Sequence, residues 1–416
     1  MMDHLPASPM HNFPLPLRRR TTLLGLASVL TLGGVSLAVA AAPTDKRFVV
    51  VILRGAMDGL SAVVPYGDPG LAALRPELLP PMPGEDRGLL DLGGKFGLNP
   101  AMAKSHALYA ANQFLVVHAV AGNYRVRSHF EAQDYLESGA DHRMTSGWLN
   151  RAVAAMPGQS ESHALSRAIA VGPSIPLLLR GPQPVANWAP HGFAEPEQAL
   201  YHQVLALNRA DPLIGPAIQA GMRDRGFGDE VTGSDKDAMN GRRQGGGRYA
   251  FPALATAAGE MLKAPDGPRI AALDLGGWDT HTAQMPRLTQ ALTQLDTGLD
   301  AMRTALGEAW GQTVVMVMTE FGRTARMNGT KGTDHGTGTV AFVAGGAVAG
   351  GRVIADWPGL GSGQLFENRD LAPTTDLRSV AQGLLVGHLG LTQAAMGAVF
   401  PGDAPAQSLR GLVRTA

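Results

Sequence analysis

Six side chains able to bind a cation or move a proton recur in short polar motifs: Asp58, Ser128, Asp279, His281, Glu320 and His335. They stand in Arg54-Gly55-Ala56-Met57-Asp58-Gly59, Arg125-Val126-Arg127-Ser128-His129-Phe130-Glu131, Gly276-Gly277-Trp278-Asp279-Thr280-His281, Glu320-Phe321-Gly322-Arg323 and Gly332-Thr333-Asp334-His335-Gly336. Carboxylate, hydroxyl and imidazole donors of this kind suit one or two divalent cations such as zinc, manganese or calcium. Each motif alone also has a plainer reading. Asp58 and Asp279 can serve as turn formers or helix caps, Ser128 as the N-cap of the helix that follows it, and Glu320 with Arg323 as an ion pair. His281 and His335, in glycine-rich loops, are harder to place in a core and read as ligands or proton carriers. His106, His118, His163 and His388 lack such company and read as structural or surface residues.

The elements that must position these groups are legible as apolar runs. Phe48 to Leu53, Phe114 to Val120, Arg269 to Leu275, Thr313 to Thr319 and Val340 to Ala344 are β-branched and apolar without alternation, as expected of parallel strands covered on both faces. Helical patterns cover His129 to Ser138, Trp148 to Ala155, Pro286 to Leu306 and Asp376 to Val386. In the third of these, Leu288, Leu292, Leu295, Leu299, Met302 and Leu306 form one stripe. Strands alternating with helices predict an α/β fold, doubly wound, with a mostly parallel sheet and helices on both faces. Ligands bind such sheets beyond the carboxyl ends of the strands, where most of the motifs fall. Two stretches break the pattern: the proline-rich run 65–83, and residues 223–248, which read as a flexible excursion.

The N-terminus sets the expected location. Arg18, Arg19 and Arg20 precede an apolar run from Leu23 to Ala42 that ends in small residues before Pro43, the layout of a signal peptide over residues 1–42. The arginines followed by Thr21, Thr22, Leu23 and Leu24 resemble a twin-arginine signal, implying the twin-arginine export machinery and signal peptidase as partners and a periplasmic or secreted product. An uncleaved anchor is the competing reading, since the run is just long enough to span a bilayer. Its glycines, serines and threonine dilute its hydrophobicity, and no stable span is expected in the mature chain. Cleavage removes three of 35 basic and one of 35 acidic residues, leaving 32 and 34, a formal charge of −2 that attracts neither nucleic acid nor anionic lipid. The absence of cysteine excludes disulfides and thiolate chemistry. With 45% hydrophobic residues, the mature chain 43–416 can bury a large core and reads as one domain.

Taken together and in order, the five motifs resemble a large bacterial family of secreted, often twin-arginine-exported proteins catalogued as a domain of unknown function. That family in turn is similar to a distant branch of the alkaline phosphatase and sulfatase superfamily. The resemblance implies an alkaline phosphatase-like fold with metal ions at the strand ends. It also implies Asp58, Asp279, His281, Glu320 and His335 as metal ligands and Ser128 as the nucleophile at a helix start. Phe321 departs from the pattern, standing where the superfamily has the histidine of an Asp-His pair, so one of two metal sites is expected to be weakened or absent. His129 and Asp334 are the residues placed to compensate.

The expected chemistry is metal-assisted hydrolysis of a small anionic phosphate or sulfate ester. Arg127, Arg323 or Arg54 would hold the non-bridging oxygens, and His281 or His335 would protonate the leaving group. The alternative is a non-catalytic periplasmic binding or assembly protein on a decayed fold. No Gly-x-Ser-x-Gly elbow, phosphate-binding Gly-x-x-x-x-Gly-Lys loop or His-Glu-x-x-His helix occurs, which argues against serine hydrolases of the α/β type, nucleotide-driven motors and zincins.

Overall fold

A computed structural model describes residues 45–156, 167–190, 250–402 and 406–415, together with residues 204, 205, 207, 208 and 211. The expected signal peptide and the excursion at 223–248 lie outside the described residues. Nine strands form the main sheet: β1 (Arg47–Arg54), β2 (Phe114–Ala121), β3 (Ala168–Val171), β4 (Ala186–Trp188), β5 (Ile270–Gly276), β6 (Thr313–Thr319), β7 (Thr339–Ala344), β8 (Arg352–Ile354) and β9 (Thr375–Asp376). Their order is β8-β2-β7-β6-β1-β5-β3-β4, with β9 also paired to β2.

The central strand β1 shows why these residues make a sheet. Its sequence RFVVVILR is β-branched or bulky throughout, and the pleat sends alternate side chains to opposite faces. Val49, Val51 and Leu53 enter one core, while Phe48, Val50 and Ile52 enter the other. The first core is closed by α4 (Phe251–Lys263) and α5 (Gln284–Leu306). The second is closed by α2 (His129–Ser138), α3 (Trp148–Ala155) and α6 (Leu377–Gly387); α1 (Ala103–Ala110) joins the first. The leucine stripe of α5 is buried as its spacing requires, at roughly 1.5–3 kcal/mol per side chain. Helices α4 and α5 pack closely enough that a Cβ on Gly298 would fall 2.4 Å from the Phe251 ring.

The mostly parallel α/β architecture with helices on both faces therefore stands, with one correction. β7, expected to be parallel, runs antiparallel to both of its neighbours, β2 and β6. The reversal matters for the site. A loop preceding a parallel strand lies at the strands' amino edge, whereas the loop preceding β7 enters from the carboxyl edge, where β1, β5 and β6 end in register at Leu53, Leu275 and Thr319. Among the described residues no helix is long and apolar enough to cross a membrane.

Candidate metal centre

Each motif leaves a strand end within reach of the others. Gly55 follows β1, Asp279 and His281 follow β5, Glu320 and Arg323 follow β6, and Asp334 and His335 precede the reversed β7. His129 opens α2, which begins after β2. Glycine permits the close approach. A Cβ on Gly336 would stand 2.2 Å from the Arg323 carbonyl carbon, and one on Gly332 2.1 Å from the His281 carbonyl oxygen.

Three imidazoles and one carboxylate converge. His335 Nε2 lies 3.0 Å from His129 Nε2 and 3.0 Å from His281 Nε2. Asp279 Oδ1 lies 3.0 Å from His281 Nε2, 3.4 Å from His335 Nε2 and 3.7 Å from His129 Nε2. The donor atoms of His129, Asp279 and His335 all fall within 4.8 Å of one another. Two nitrogens on one tetrahedral zinc, each bound at about 2.0–2.1 Å, stand about 3.3 Å apart, so these separations fit a shared cation.

The other ring nitrogen of each histidine settles which way the lone pairs face. His129 Nδ1 meets Glu320 Oε1 at 2.8 Å, His281 Nδ1 meets Asp334 Oδ1 at 3.1 Å, and His335 Nδ1 meets the Arg127 carbonyl at 3.1 Å. Carboxylates and carbonyls only accept, so an Nδ1 proton satisfies each of these contacts, and a neutral ring protonated there presents its Nε2 lone pair to the cluster. Lone pairs facing each other at 3.0 Å repel. A shared proton would relieve one such pair; a cation relieves the whole set. An acceptor behind each ligating imidazole is also how protein metal sites fix the tautomer and raise ligand basicity.

The electrostatics keep the carboxylates ionised and act on the histidines in opposite directions. Burial works against ionisation of Glu320, but hydrogen bonds from His129, Gln133 and the Gly55 amide outweigh it and hold its pKa below the ordinary value. Burial likewise opposes the charge on Asp279, and the Arg323 guanidinium bonded to it, with the neighbouring histidines, more than compensates, so its pKa is also lowered. Asp334 follows the pattern, its burial offset by Asn328 and His281. His335 is pushed down by burial and by the nearby His129 and Arg323. His129 is raised, chiefly by its bond to Glu320.

Several expected roles fall differently. Asp58 is buried in a separate network: its Oδ2 accepts from Arg75 Nη1 at 2.8 Å, Ser61 Oγ at 2.7 Å and Gln284 Nε2 at 2.5 Å. Glu320 supports His129 from behind and does not pair with Arg323, which binds Asp279 instead. Asp279 caps no helix, since α5 begins at Gln284 without a side-chain cap. Ser128 holds the N-cap position of α2 but makes no capping bond, so its hydroxyl is not spent there. None of the three arginines is free for a substrate. Arg323 is buried and bonded to the carbonyls of Gly55, Ala56, Trp278 and Thr333. Arg127 is bound by Asp370 and Glu367, and Arg54 by Glu137 and Asp274. Phe321 packs its ring against His129 and His335, with centroids 4.9 and 5.2 Å away, and so walls the site without ligating. His129, which the pattern offered as a replacement, brings its Nε2 to 3.0 Å from His335 Nε2.

Two supporting residues went unread in the sequence. Gln133 lies one helical turn after His129, a spacing that puts both on one face, and it donates to the same Glu320 oxygen. Gln284 ties Asp58 to Thr280 and Thr333, and no local pattern marks it.

A family model described as "Protein of unknown function (DUF1501)" matches residues 120–400. The chain belongs to that family. The matched stretch of this DUF1501 protein contains the histidines, Asp279 and Glu320; the motif with Asp58 precedes it. No curated protein matches the chain. Among solved structures it is similar to the phosphonate monoester hydrolase of Agrobacterium radiobacter, at 12% identity and a TM-score of 0.32 over 87% of this chain and 79% of that one. It is also similar to the lipoteichoic acid synthase LtaP from Listeria monocytogenes, at 10% identity and a TM-score of 0.32 over 78% and 71%. Superpositions this loose say nothing about chemistry.

Proposed function

We propose that His129, Asp279 and His335 hold one divalent cation and that the protein is an exported, single-domain, metal-dependent hydrolase of small phosphate or sulfate esters. The supporting observation is the set of Nε2 lone pairs turned toward one another by acceptors on every Nδ1. Three protein ligands leave a coordination position open, as catalytic sites do and closed structural sites do not. A bound cation would supply Lewis acidity toward a phosphoryl or sulfuryl oxygen and make a hydroxyl or water acidic enough to attack. The chain's own residues would do the rest. Ser128, adjacent to a ligand and with no capping bond to give up, is the nucleophile. His281, oriented by Asp334, carries the proton between nucleophile and leaving group. Arg323 neutralises Asp279 and fixes its position. The side chains of His281 and Asp279, 40% and 48% exposed, leave the centre open to a substrate from solvent.

Elemental analysis of the gently purified protein tests this first. Near-stoichiometric zinc, manganese or calcium is expected in the wild type and in His281→Ala, and none in His335→Ala. A wild type that neither carries nor takes up metal removes the reading. Ser128→Ala is expected to keep its metal and lose several orders of magnitude in ester turnover. Metal with no turnover of any ester would favour the second reading, a binding or assembly protein on this fold. The full engagement of Arg54, Arg127 and Arg323 by protein partners is the observation on that side.

A further inference from the structure

Beside the histidine cluster lies a cavity of about 250 Å³ whose walls include Arg326, Arg369, Asn368 and Asp334 over an apolar floor of Leu74 and Met327. Asp334 joins it to the cluster, because the same carboxylate that lines the cavity receives His281 Nδ1 at 3.1 Å. The cavity's donors differ from the other arginines near the site. Arg54, Arg75, Arg127 and Arg323 are each held by carboxylates or carbonyls at about hydrogen-bond length. Arg326 has no side-chain partner among the described residues, and neither does the amide of Asn368. Arg369 has one ion pair, Nη1 to Asp370 Oδ1 at 3.4 Å, which leaves most of its fork unused. Asp334, the only acid on the wall, is already engaged by His281 and Asn328.

Two guanidinium groups and a side-chain amide over an apolar floor form an arrangement that accepts a planar or tetrahedral oxyanion through paired N–H donors. We propose that this cavity binds an oxyanion (phosphate, sulfate or carboxylate) carried by the substrate at a distance from its scissile ester, so that the preferred substrates bear two anionic groups. The anion binding stands on the cavity alone. Its role in choosing substrates rests on the hydrolase reading above, which it deepens.

Calorimetric titration of the full-length mature protein with inorganic phosphate separates the two. In His129→Ala/His335→Ala, which removes two of the proposed ligands, phosphate is expected to bind still. Adding Arg326→Ala and Arg369→Ala to that background is expected to weaken binding at least tenfold. The arginine pair alone is expected to leave the metal content of the wild type unchanged. Arg326 is exposed and Arg369 half-buried, so their loss does not threaten the fold, and a thermal melt of each variant verifies this. Phosphate affinity that is absent in the histidine variant, or present there and indifferent to the arginines, overturns the cavity proposal. A metal-free wild type whose phosphate binding depends on Arg326 and Arg369 would sink the hydrolase reading and leave the cavity proposal intact.

Discussion

Two polar clusters lie near one edge of the sheet, and they are built on opposite principles. Around Asp58, donors of the protein converge on one carboxylate oxygen, Oδ2, while Oδ1 is buried with no partner among the described residues: Arg75 donates to Asp58 and Ser61, and to the carbonyls of Thr324 and Ala325, and Gln284 bridges to Thr280 and Thr333. Around Asp279, hydrogen bonds on the outer side force nitrogen lone pairs to face inward. The first cluster is held by the protein's own donors and braces the loops at 280, 324 and 333. The second brings imidazole nitrogens to within 3.0 Å of one another, contacts that the proposed cation would relieve. Burial alone does not distinguish them; what distinguishes them is that the Asp58 carboxylate meets N–H and O–H donors, whereas the imidazole nitrogens of the second cluster meet one another.

The contrast can be broken most directly at Arg75, whose side chain is fully buried. Arg75→Met strands the Asp58 carboxylate and is expected to cost about 3–5 kcal/mol in urea unfolding, and the double variant with Asp58→Asn is expected to recover part of that loss. A mild single variant would mean that Asp58 is neutral or solvated. A smaller effect per residue is expected from acid. Burial pushes His118, beside the Asp58 network, and His388 down to about 4. Between the unfolded value of about 6.5 and about 4 the unfolded chain takes up protons that the folded chain refuses, so stability falls with pH across that window. The expected loss is about 3 kcal/mol per histidine, read from unfolding midpoints at neutral and acid pH. Smaller still is Glu320→Gln, which keeps the shape but weakens the acceptor behind His129. A 10- to 100-fold drop in metal affinity with little change in stability is expected. A large stability loss instead would make Glu320 part of the scaffold.

Much of this was legible in the chain. The runs at 48–53, 114–120 and 313–319 are apolar without alternation, and each is a buried strand. The periodic stripe at 288–306 is a helix on the core. The strands Ala168–Val171 and Ala186–Trp188 are too short to show a period. Helix α4 carries one, through Phe251, Leu254, Ala255, Ala258, Met261 and Leu262, but it follows a glycine- and arginine-rich stretch that masks it. At the site, glycine-flanked histidines marked the convergence at His281 and His335. Asp58 looked the same in sequence because a carboxylate after a strand suits a metal or a salt bridge equally. Its partner Arg75 lies in the proline-rich run, where no pattern links the two. The direction of β7 was hidden for another reason: a strand covered on both faces reads alike in either orientation.

The reversed strand also shapes how this site can vary. Residues 320–338 leave the sheet after Thr319 and return to the neighbouring strand at Thr339, so Glu320, Arg323, Asp334 and His335 ride on one closed excursion. Doubling the length of such a loop costs only about 0.6 kcal/mol of closure entropy. Its tip at Gly329 is exposed, with no atom within 4 Å of where a side chain would begin. Insertions there would leave both ends of the loop anchored by the two strands. The tip is nevertheless coupled to the site, because Asn328 and Thr330 on either side of Gly329 donate to the His281 carbonyl and Asn328 also to Asp334, so a change of length there reaches the histidine loop and the rim of the adjoining cavity together.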